Sequence, residues 1–221
     1  MNLKELQEVV AQGEGQQIEF KLKATFPDKI AREIVAFANS NGGQGFIGVD
    51  DRGVISGLKF ADEEQYEIEQ AIRRHIRPTI KYRVEQVPIS KKKAILYLKI
   101  FEQRRKPVFF LEDPDTSQRG FAFIRHRDKS IKASREMVQI MRRSRSKKSY
   151  PVVLGNTERL LFQVLAQHGR ATVHDLIKFT GLPNHTLSRK LIDLVLCNIL
   201  QIDFDEKADF YSIKSTELTT K

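Results

Sequence analysis

The order of apolar and polar residues over the first 145 positions predicts a mixture of helices and strands. Leu3, Leu6 and Val10 recur at helical spacing. From Gln17 to Lys23 every second residue is apolar, which is the pattern of a half-buried strand. The same criteria predict helices over residues 27–40, 62–76 and 134–143, and strands over residues 44–49, 54–57, 80–89, 94–101, 107–111 and 120–125. We therefore expect an α+β fold for this region.

The pattern changes at Asn156, where three helical stretches precede a predicted hairpin. Gly169 and Gly181 end the first two helices, because glycine tolerates the backbone conformation found there. Two short helices, a turn and a third amphipathic helix indicate a helix-turn-helix, and the hairpin over residues 200–213 adds a wing. The stretch LPNHTLSRKLIDLVLCNIL resembles the recognition helix of winged-helix bacterial transcription regulators.

The third helix of this region has one apolar face and one polar face. Leu187 and Leu191 mark the side that we expect to be buried. His185, Ser188 and Arg189 lie on the other side, where they are predicted to contact bases in the major groove. The predicted wing carries Asp203, Asp205, Glu206 and Asp209. These acids would repel phosphate, so a winged helix that binds protein is the alternative interpretation.

A basic, serine-spaced run separates the two regions and is the best candidate for a linker. It contains Arg142, Arg143, Arg145, Lys147 and Lys148, and Tyr150 and Pro151 follow. We therefore predict a first domain over residues 1–149 and a second domain over residues 150–221.

The balance of charges makes a polyanion a plausible partner. The chain has 38 Lys and Arg residues against 28 Asp and Glu residues, which gives a net charge of +10 and a pI of 9.7. Its single cysteine, Cys197, excludes a disulfide within the chain and a cysteine-rich zinc site. No signal-type segment and no apolar run of about 20 residues is found, so we expect a cytoplasmic protein without a membrane partner.

Several basic side chains are candidates for phosphate contacts. They are Lys91, Lys92, Lys93, Arg104, Arg105, Lys106, Arg125, Arg127 and Lys129. Arg125 and Arg127 alternate along one predicted strand, so both could meet a nucleic-acid backbone together. For each lysine run taken singly, a solvated surface is the alternative.

Four short motifs resemble the Schlafen-type AlbA-like domain. They are Glu14, the Glu19-Phe20-Lys21 string, the helix end and glycines of residues 36–43, and Gly48-Val49-Asp50. A later stretch, FIRHRDKSIKASREMVQIM, is similar to the closing strand and helix of that family. The resemblance covers about residues 1–145, and many bacterial members are similar in carrying a C-terminal winged helix. It implies a mixed-sheet AlbA-like domain that binds DNA or RNA.

In the Schlafen branch the resemblance also implies a metal-dependent endoribonuclease. Its three carboxylates would correspond to Glu14, Glu19 and Asp50, with Asp51 as a substitute for the last. Such a set could hold Mg²⁺ or Mn²⁺ on a backbone phosphate. Lys21 could stabilise the developing charge. These acids converge only if the Gln17–Lys23 strand lies beside the 44–49 strand, with Glu19 facing solvent.

An interpretation without chemistry is also open for the same residues. Glu19 and Lys21 could form a solvated strand face, and Asp50 and Asp51 could be ordinary turn residues. We therefore expect a nucleic-acid-binding protein, a DNA-binding transcriptional regulator in the first instance. The alternatives are the endoribonuclease and an oligomeric scaffold whose winged helix binds protein. The apolar first helix and the winged helix also predict a homodimer.

Overall fold

The computed structural model describes residues 1–115, 120–144 and 154–214. The chain divides into two compact units, Met1–Ala133 and Ser134–Lys221. This division falls earlier than the sequence-based boundary near residue 150, since a helix that we assigned to the first domain groups with the second unit. The predicted linker residues Arg145, Lys147, Lys148, Tyr150 and Pro151 lie outside the described residues.

The first unit contains three helices and nine strands within the described residues. The helices are α1 (Leu3–Val10), α2 (Pro27–Asn39) and α3 (Ala61–His75). The strands are β1 (Ile18–Lys21), β2 (Gly43–Ile47), β3 (Ile76–Arg77), β4 (Tyr82–Ser90), β5 (Lys93–Ile100), β6 (Phe109–Leu111), β7 (Gly120–Phe121), β8 (Phe123–His126) and β9 (Lys129–Lys132).

A four-stranded mixed sheet organises the first unit. Its strand order is β1-β2-β5-β4, in which β1 and β2 are parallel and the other pairs are antiparallel. The register places Glu19 beside Gly45, so the strand pairing that a shared carboxylate site would require is present. The mixed α+β fold is confirmed. The shorter strands form a second sheet, in the order β3-β6-β7, and a β8–β9 hairpin.

Both faces of the mixed sheet are covered, which explains the apolar runs in its central strands. Side chains of α2 and α3 pack against Ile47 and Leu98 on one face. Leu6 of α1 packs against Phe20 and Phe46 on the other face. Successive residues of a strand point to opposite faces, so neighbouring residues of β1 and β2 enter different cores.

The second unit contains four helices and one three-stranded sheet within the described residues. The helices are α4 (Arg135–Arg143), α5 (Asn156–His168), α6 (Val173–Thr180) and α7 (Asn184–Leu196). The strands β10 (Arg170–Thr172), β11 (Leu200–Phe204) and β12 (Asp209–Ile213) pair in the order β10-β12-β11. The three predicted helices and the hairpin are therefore present. No helix in the described parts of the chain is long and apolar enough to cross a membrane.

Local chemistry sets the ends of these helices. Thr172 caps α6, because its hydroxyl accepts a hydrogen bond from the backbone N–H of Asp175 at 3.2 Å. Gly181 ends the same helix with a φ of 67°, in the left-handed region. Residue type alone favours Thr172, Thr157 and Asn184 as the capping residues of α6, α5 and α7. Thr172 has this role, but Gly155 occupies the cap of α5 and Pro183 that of α7.

Two leucines of the first unit allow a matched test of this packing. Leu98 is 1% exposed at the centre of the sheet, whereas Leu22 is 48% exposed. We expect Leu98→Ala to lower the free energy of unfolding by about 2–5 kcal/mol, because it opens a cavity in the core. Leu22→Ala should change it by less than about 1 kcal/mol. Urea unfolding of the full chain measures both, and equal losses would contradict the assigned core.

Candidate nucleic-acid interface and buried charge cluster

Glu19 is buried, although the strand pattern predicted that it would face solvent. Only 8% of the Glu19 surface is exposed to solvent, because α2 covers this face of β1. One carboxylate oxygen accepts from Lys21 Nζ, and the other accepts from Arg125 Nη1 at 2.9 Å. The prediction of a solvent-facing Glu19 is therefore wrong. Alternation within one strand cannot show that a helix packs over its polar face.

The Arg125 guanidinium is the centre of this buried charge cluster. Its side chain has no exposed surface, and Nη1 donates to Glu19 and, at 2.8 Å, to Glu33. Its Nη2 donates to the Gly15 carbonyl at 2.7 Å, and the group lies over the Phe37 ring at 4.6 Å from the centroid. These contacts offset the cost of burying a cation. The prediction that Arg125 contacts phosphate is corrected, because the group is closed off from any external ligand.

Glu33 is the member of the cluster that sequence reasoning missed. It lies on α2 and accepts from both Arg125 and the Ser130 hydroxyl. Burial raises the pKa of its carboxyl above the ordinary value, and the negative charge of Glu19 raises the pKa further. The sequence does contain a sign that Glu33 is buried, since Glu33 falls within the apolar stripe of Ile30 and Phe37. A carboxylate at such a position is buried beside the core and needs a partner.

The carboxylates of Glu14 and Asp50 accept hydrogen bonds from nearby backbone N–H groups. Glu14 accepts from the backbone N–H of Phe20 at 2.8 Å, and burial raises the pKa of its carboxyl. Asp50 accepts from the N–H groups of Arg52 and Val54 at 2.9 and 2.8 Å. Asp50 therefore closes the turn after β2, which is the ordinary turn role considered above.

The described residues contain no group of three or more His, Cys, Asp and Glu side chains arranged to hold a metal ion. Glu19 has two cationic partners, and Asp50 accepts from the backbone of its own turn. After burial, the nearby negative charges of Glu19 and Asp51 also raise the pKa of Glu14, so the acids of the Asp51 alternative lie near one another. The Mg²⁺ or Mn²⁺ site stays a prediction, and no chemical step is assigned to it.

The basic residues of the first unit divide into two groups at opposite ends of β5. Lys91 and Lys92 are exposed in the turn before β5, while Lys93 donates to the Ser56 carbonyl at 2.8 Å. Arg104 and Arg105 are exposed in the segment after β5. β5 itself is about 26 Å long, from its eight residues at roughly 3.3 Å per residue.

The segment with Arg104 and Arg105 meets the β8–β9 hairpin at the C-terminal end of α2. Lys106 Nζ donates to the Ser40 carbonyl at 2.6 Å, and the Arg125 backbone N–H donates to the Ser40 hydroxyl at 2.9 Å. Arg127 is exposed in the hairpin turn two residues further on. We name Arg104, Arg105 and Arg127 the α2-end surface. Lys129 is exposed beside it, at the start of β9.

Arg127 does not lie on the strand face that the alternation predicted. The β8 strand ends at His126, and Arg127 adopts a φ of 56° in the tight turn before β9. Arg125 is therefore buried in the core, whereas Arg127 is exposed to solvent. The prediction that both meet a nucleic-acid backbone is corrected for Arg125 and stays a prediction for Arg127.

In the second unit, the polar face of α7 lies against α4. The Ser188 hydroxyl donates to Glu136 at 2.6 Å, and Arg143 pairs with Asp193 at 2.6 Å. His185 and Arg189 are exposed beside these contacts. Of the three predicted groove residues, Ser188 is engaged by α4, whereas His185 and Arg189 remain exposed. Their contact with bases in the major groove stays a prediction.

The first unit is thus an α+β domain built on a four-stranded mixed sheet, with an internal arginine–carboxylate cluster and exposed arginines at one helix end. Residues 14–134, more than half of the chain, match the family described as Schlafen, AlbA_2, and the chain belongs to that family. This membership supports nucleic-acid binding. No curated protein matches the chain.

Two solved structures are similar to the chain at 18% identity. One is the N-terminal domain of an ATP-dependent DNA helicase RecG-related protein from Nitrosomonas europaea, with a TM-score of 0.43 over 71% of this chain and 96% of that one. The other is the DIP2311 protein from Corynebacterium diphtheriae, with a TM-score of 0.44 over 80% of this chain and 32% of that one. Both likenesses are too weak to support a statement about function.

Removing the central cation tests the buried charge cluster. We expect Arg125→Met to lower the free energy of unfolding by about 3–5 kcal/mol, because it leaves Glu19 and Glu33 without their shared cation. Arg127→Met makes the same chemical change at an exposed position and should cost less than about 1 kcal/mol. Urea unfolding measures both, and similar losses for the two variants would show that Arg125 is not structural.

The raised pKa of Glu33 gives a pH-dependent test. A carboxyl that binds its proton more tightly in the folded chain adds stability at low pH, and this contribution is lost as the pH rises through the folded pKa. Glu33→Gln removes that loss while keeping acceptors for Arg125 and Ser130. The unfolding free energy of Glu33→Gln relative to wild type should therefore increase between about pH 4.5 and pH 7. The exposed change Glu8→Gln is the control, and a relative stability that is flat for Glu33→Gln would contradict the assignment.

Proposed function

We propose that this chain binds nucleic acid through the α2-end surface and does not cleave it. One observation gives the proposal its main support. Glu14, Glu19, Glu33 and Asp50 have partners within the fold. Arg104, Arg105 and Arg127, in contrast, are exposed near one end of α2. Exposed guanidinium groups contact phosphate oxygens well, because they offer several donors in one plane.

The electrostatic balance of the chain agrees with this function. A net charge of +10 raises the local concentration of a polyanion around the protein. Each phosphate that an arginine neutralises releases a counterion, so the affinity depends steeply on salt. Contacts of this kind position the backbone and do not read sequence. Family membership supports nucleic-acid binding in general, and duplex DNA is the ligand that we propose.

Two double variants of equal charge test the location of the surface. Arg104→Ala with Arg105→Ala removes two cations from the α2-end surface, and Lys91→Ala with Lys92→Ala removes two from the far end of β5. We expect the first variant to reduce the slope of log K against log salt by about 2, since each lost phosphate contact contributes roughly 0.9. The second variant should keep the wild-type slope. Fluorescence anisotropy with a labelled duplex measures the slopes.

Equal slope changes in the two variants would contradict the assigned surface. The same titrations, repeated with a labelled transfer RNA and with Mn²⁺, measure strand cleavage in the same samples. We expect intact strands, because Glu14, Glu19 and Asp50 are engaged within the fold. Cleavage that is lost on Glu19→Gln would favour the endoribonuclease interpretation instead.

We infer a winged helix-turn-helix in the second unit from its element order. Helices α5, α6 and α7 precede the β11–β12 hairpin, and β10 joins that hairpin as a third strand. Transcriptional regulation is the role that we propose for this pairing of units. Ser188 would reach the major groove only if its hydrogen bond to Glu136 of α4 were broken, whereas His185 and Arg189 are exposed as α7 stands. The homodimer stays a prediction, which light scattering of the full chain would check.

A further inference from the structure

A cleft in the second unit lies between α4 and α7. Its volume is about 510 Å³, and its lining includes Arg135, Gln139, Asn184, His185, Arg189 and Ile192. His185, Arg189 and Ile192 fall on one stripe of α7, because they are spaced by four and three residues. His185, Ser188 and Arg189, which were predicted to contact the major groove, therefore line one wall of a concave site.

We propose that this cleft binds a small molecule carrying a phosphate monoester. The lining holds three arginines, Arg135, Arg143 and Arg189, against one acid, Glu136. Glu136 accepts from the Ser188 hydroxyl, and Arg143 pairs with Asp193 of α7, so Arg135 and Arg189 are the cations considered for a ligand. Arg135 on α4 and Arg189 on α7 are exposed at the same cleft. Two arginines supply the charge that balances a phosphate monoester, which carries about −1.5 to −2 at pH 7.

The size and composition of the cleft favour a small ligand over a nucleic-acid backbone. Sites for small molecules usually have volumes of about 300–1,000 Å³ and combine apolar surface with a few polar groups. Here Ile192 supplies apolar surface, and Gln139 and Asn184 offer amide groups. A duplex backbone is convex, and two helices on either side of a cleft restrict its approach.

The proposed site differs from the α2-end surface in position and in ligand. All of its lining residues belong to the second unit, whereas Arg104, Arg105 and Arg127 belong to the first unit. The experiment below contains no nucleic acid in its main arm. Its failure would therefore leave the proposed nucleic-acid binding untouched, and the reverse also holds.

Calorimetric titration of the full chain with adenosine monophosphate is the main measurement. We expect binding by the wild-type chain, and an affinity reduced about tenfold or more by Arg135→Ala and by Arg189→Ala, because each removes a charge-assisted hydrogen bond. Arg159→Ala removes the same charge from the exposed face of α5 and should bind as the wild type does. Adenosine, which lacks the phosphate, should not bind, and inorganic phosphate should compete.

Four results would overturn the site. These are no binding at millimolar adenosine monophosphate, equal binding by adenosine, unchanged affinity in both cleft variants, and an equal loss in Arg159→Ala. The Arg104→Ala, Arg105→Ala double variant should bind adenosine monophosphate normally, and a loss there would place the ligand in the first unit. Arg189→Lys keeps the charge and should retain most of the affinity, while circular dichroism checks that each variant is folded. If a short oligonucleotide binds and loses affinity in Arg189→Ala while adenosine monophosphate does not bind, the cleft contacts nucleic acid and the proposal fails.

Discussion

The guanidinium of Arg125 joins three parts of the first unit that are far apart in the sequence. It holds Glu19 of β1 and Glu33 of α2, and its own strand, β8, packs against α2. A buried cation is costly unless it is paired and hydrogen-bonded, so these carboxylates are required for the strand to lie where it does. The same contacts engage both oxygens of the Glu19 carboxylate.

This constraint separates the charges of the first unit into two functional kinds. Charges inside the fold balance one another and hold β1, α2 and β8 together. Charges on the connecting segments, such as Arg104 and Arg127, stay in solvent and remain available to an external polyanion. A binding protein needs the second kind, whereas metal-dependent hydrolysis would need acidic groups that the fold leaves accessible.

In the second unit too, some polar side chains are paired with one another within the fold and others are left exposed. Glu136 of α4 accepts a hydrogen bond from Ser188 of α7, and Arg143 of α4 pairs with Asp193 of α7. These polar groups of α7 therefore have partners within the second unit. Arg135 and Arg189 then line a cleft between α4 and α7, and α7 does not project alone from the unit. A helix packed against another helix presents a different surface from the same helix taken alone.

The local pattern of the sequence determined most of the elements and the family. The helix in which Thr172 caps the start and Gly181 follows the end, the strands of the mixed sheet, and the motifs from Glu14 to Asp50 could all be identified, since capping, alternation and turn chemistry depend on near neighbours. Which charges are buried was decided only by the tertiary structure. Glu19 and Arg125 have sequence surroundings typical of a solvated strand, and each is buried because α2 or a distant strand packs over it. Packing partners that lie about one hundred residues apart leave no periodic signal in the sequence around either residue.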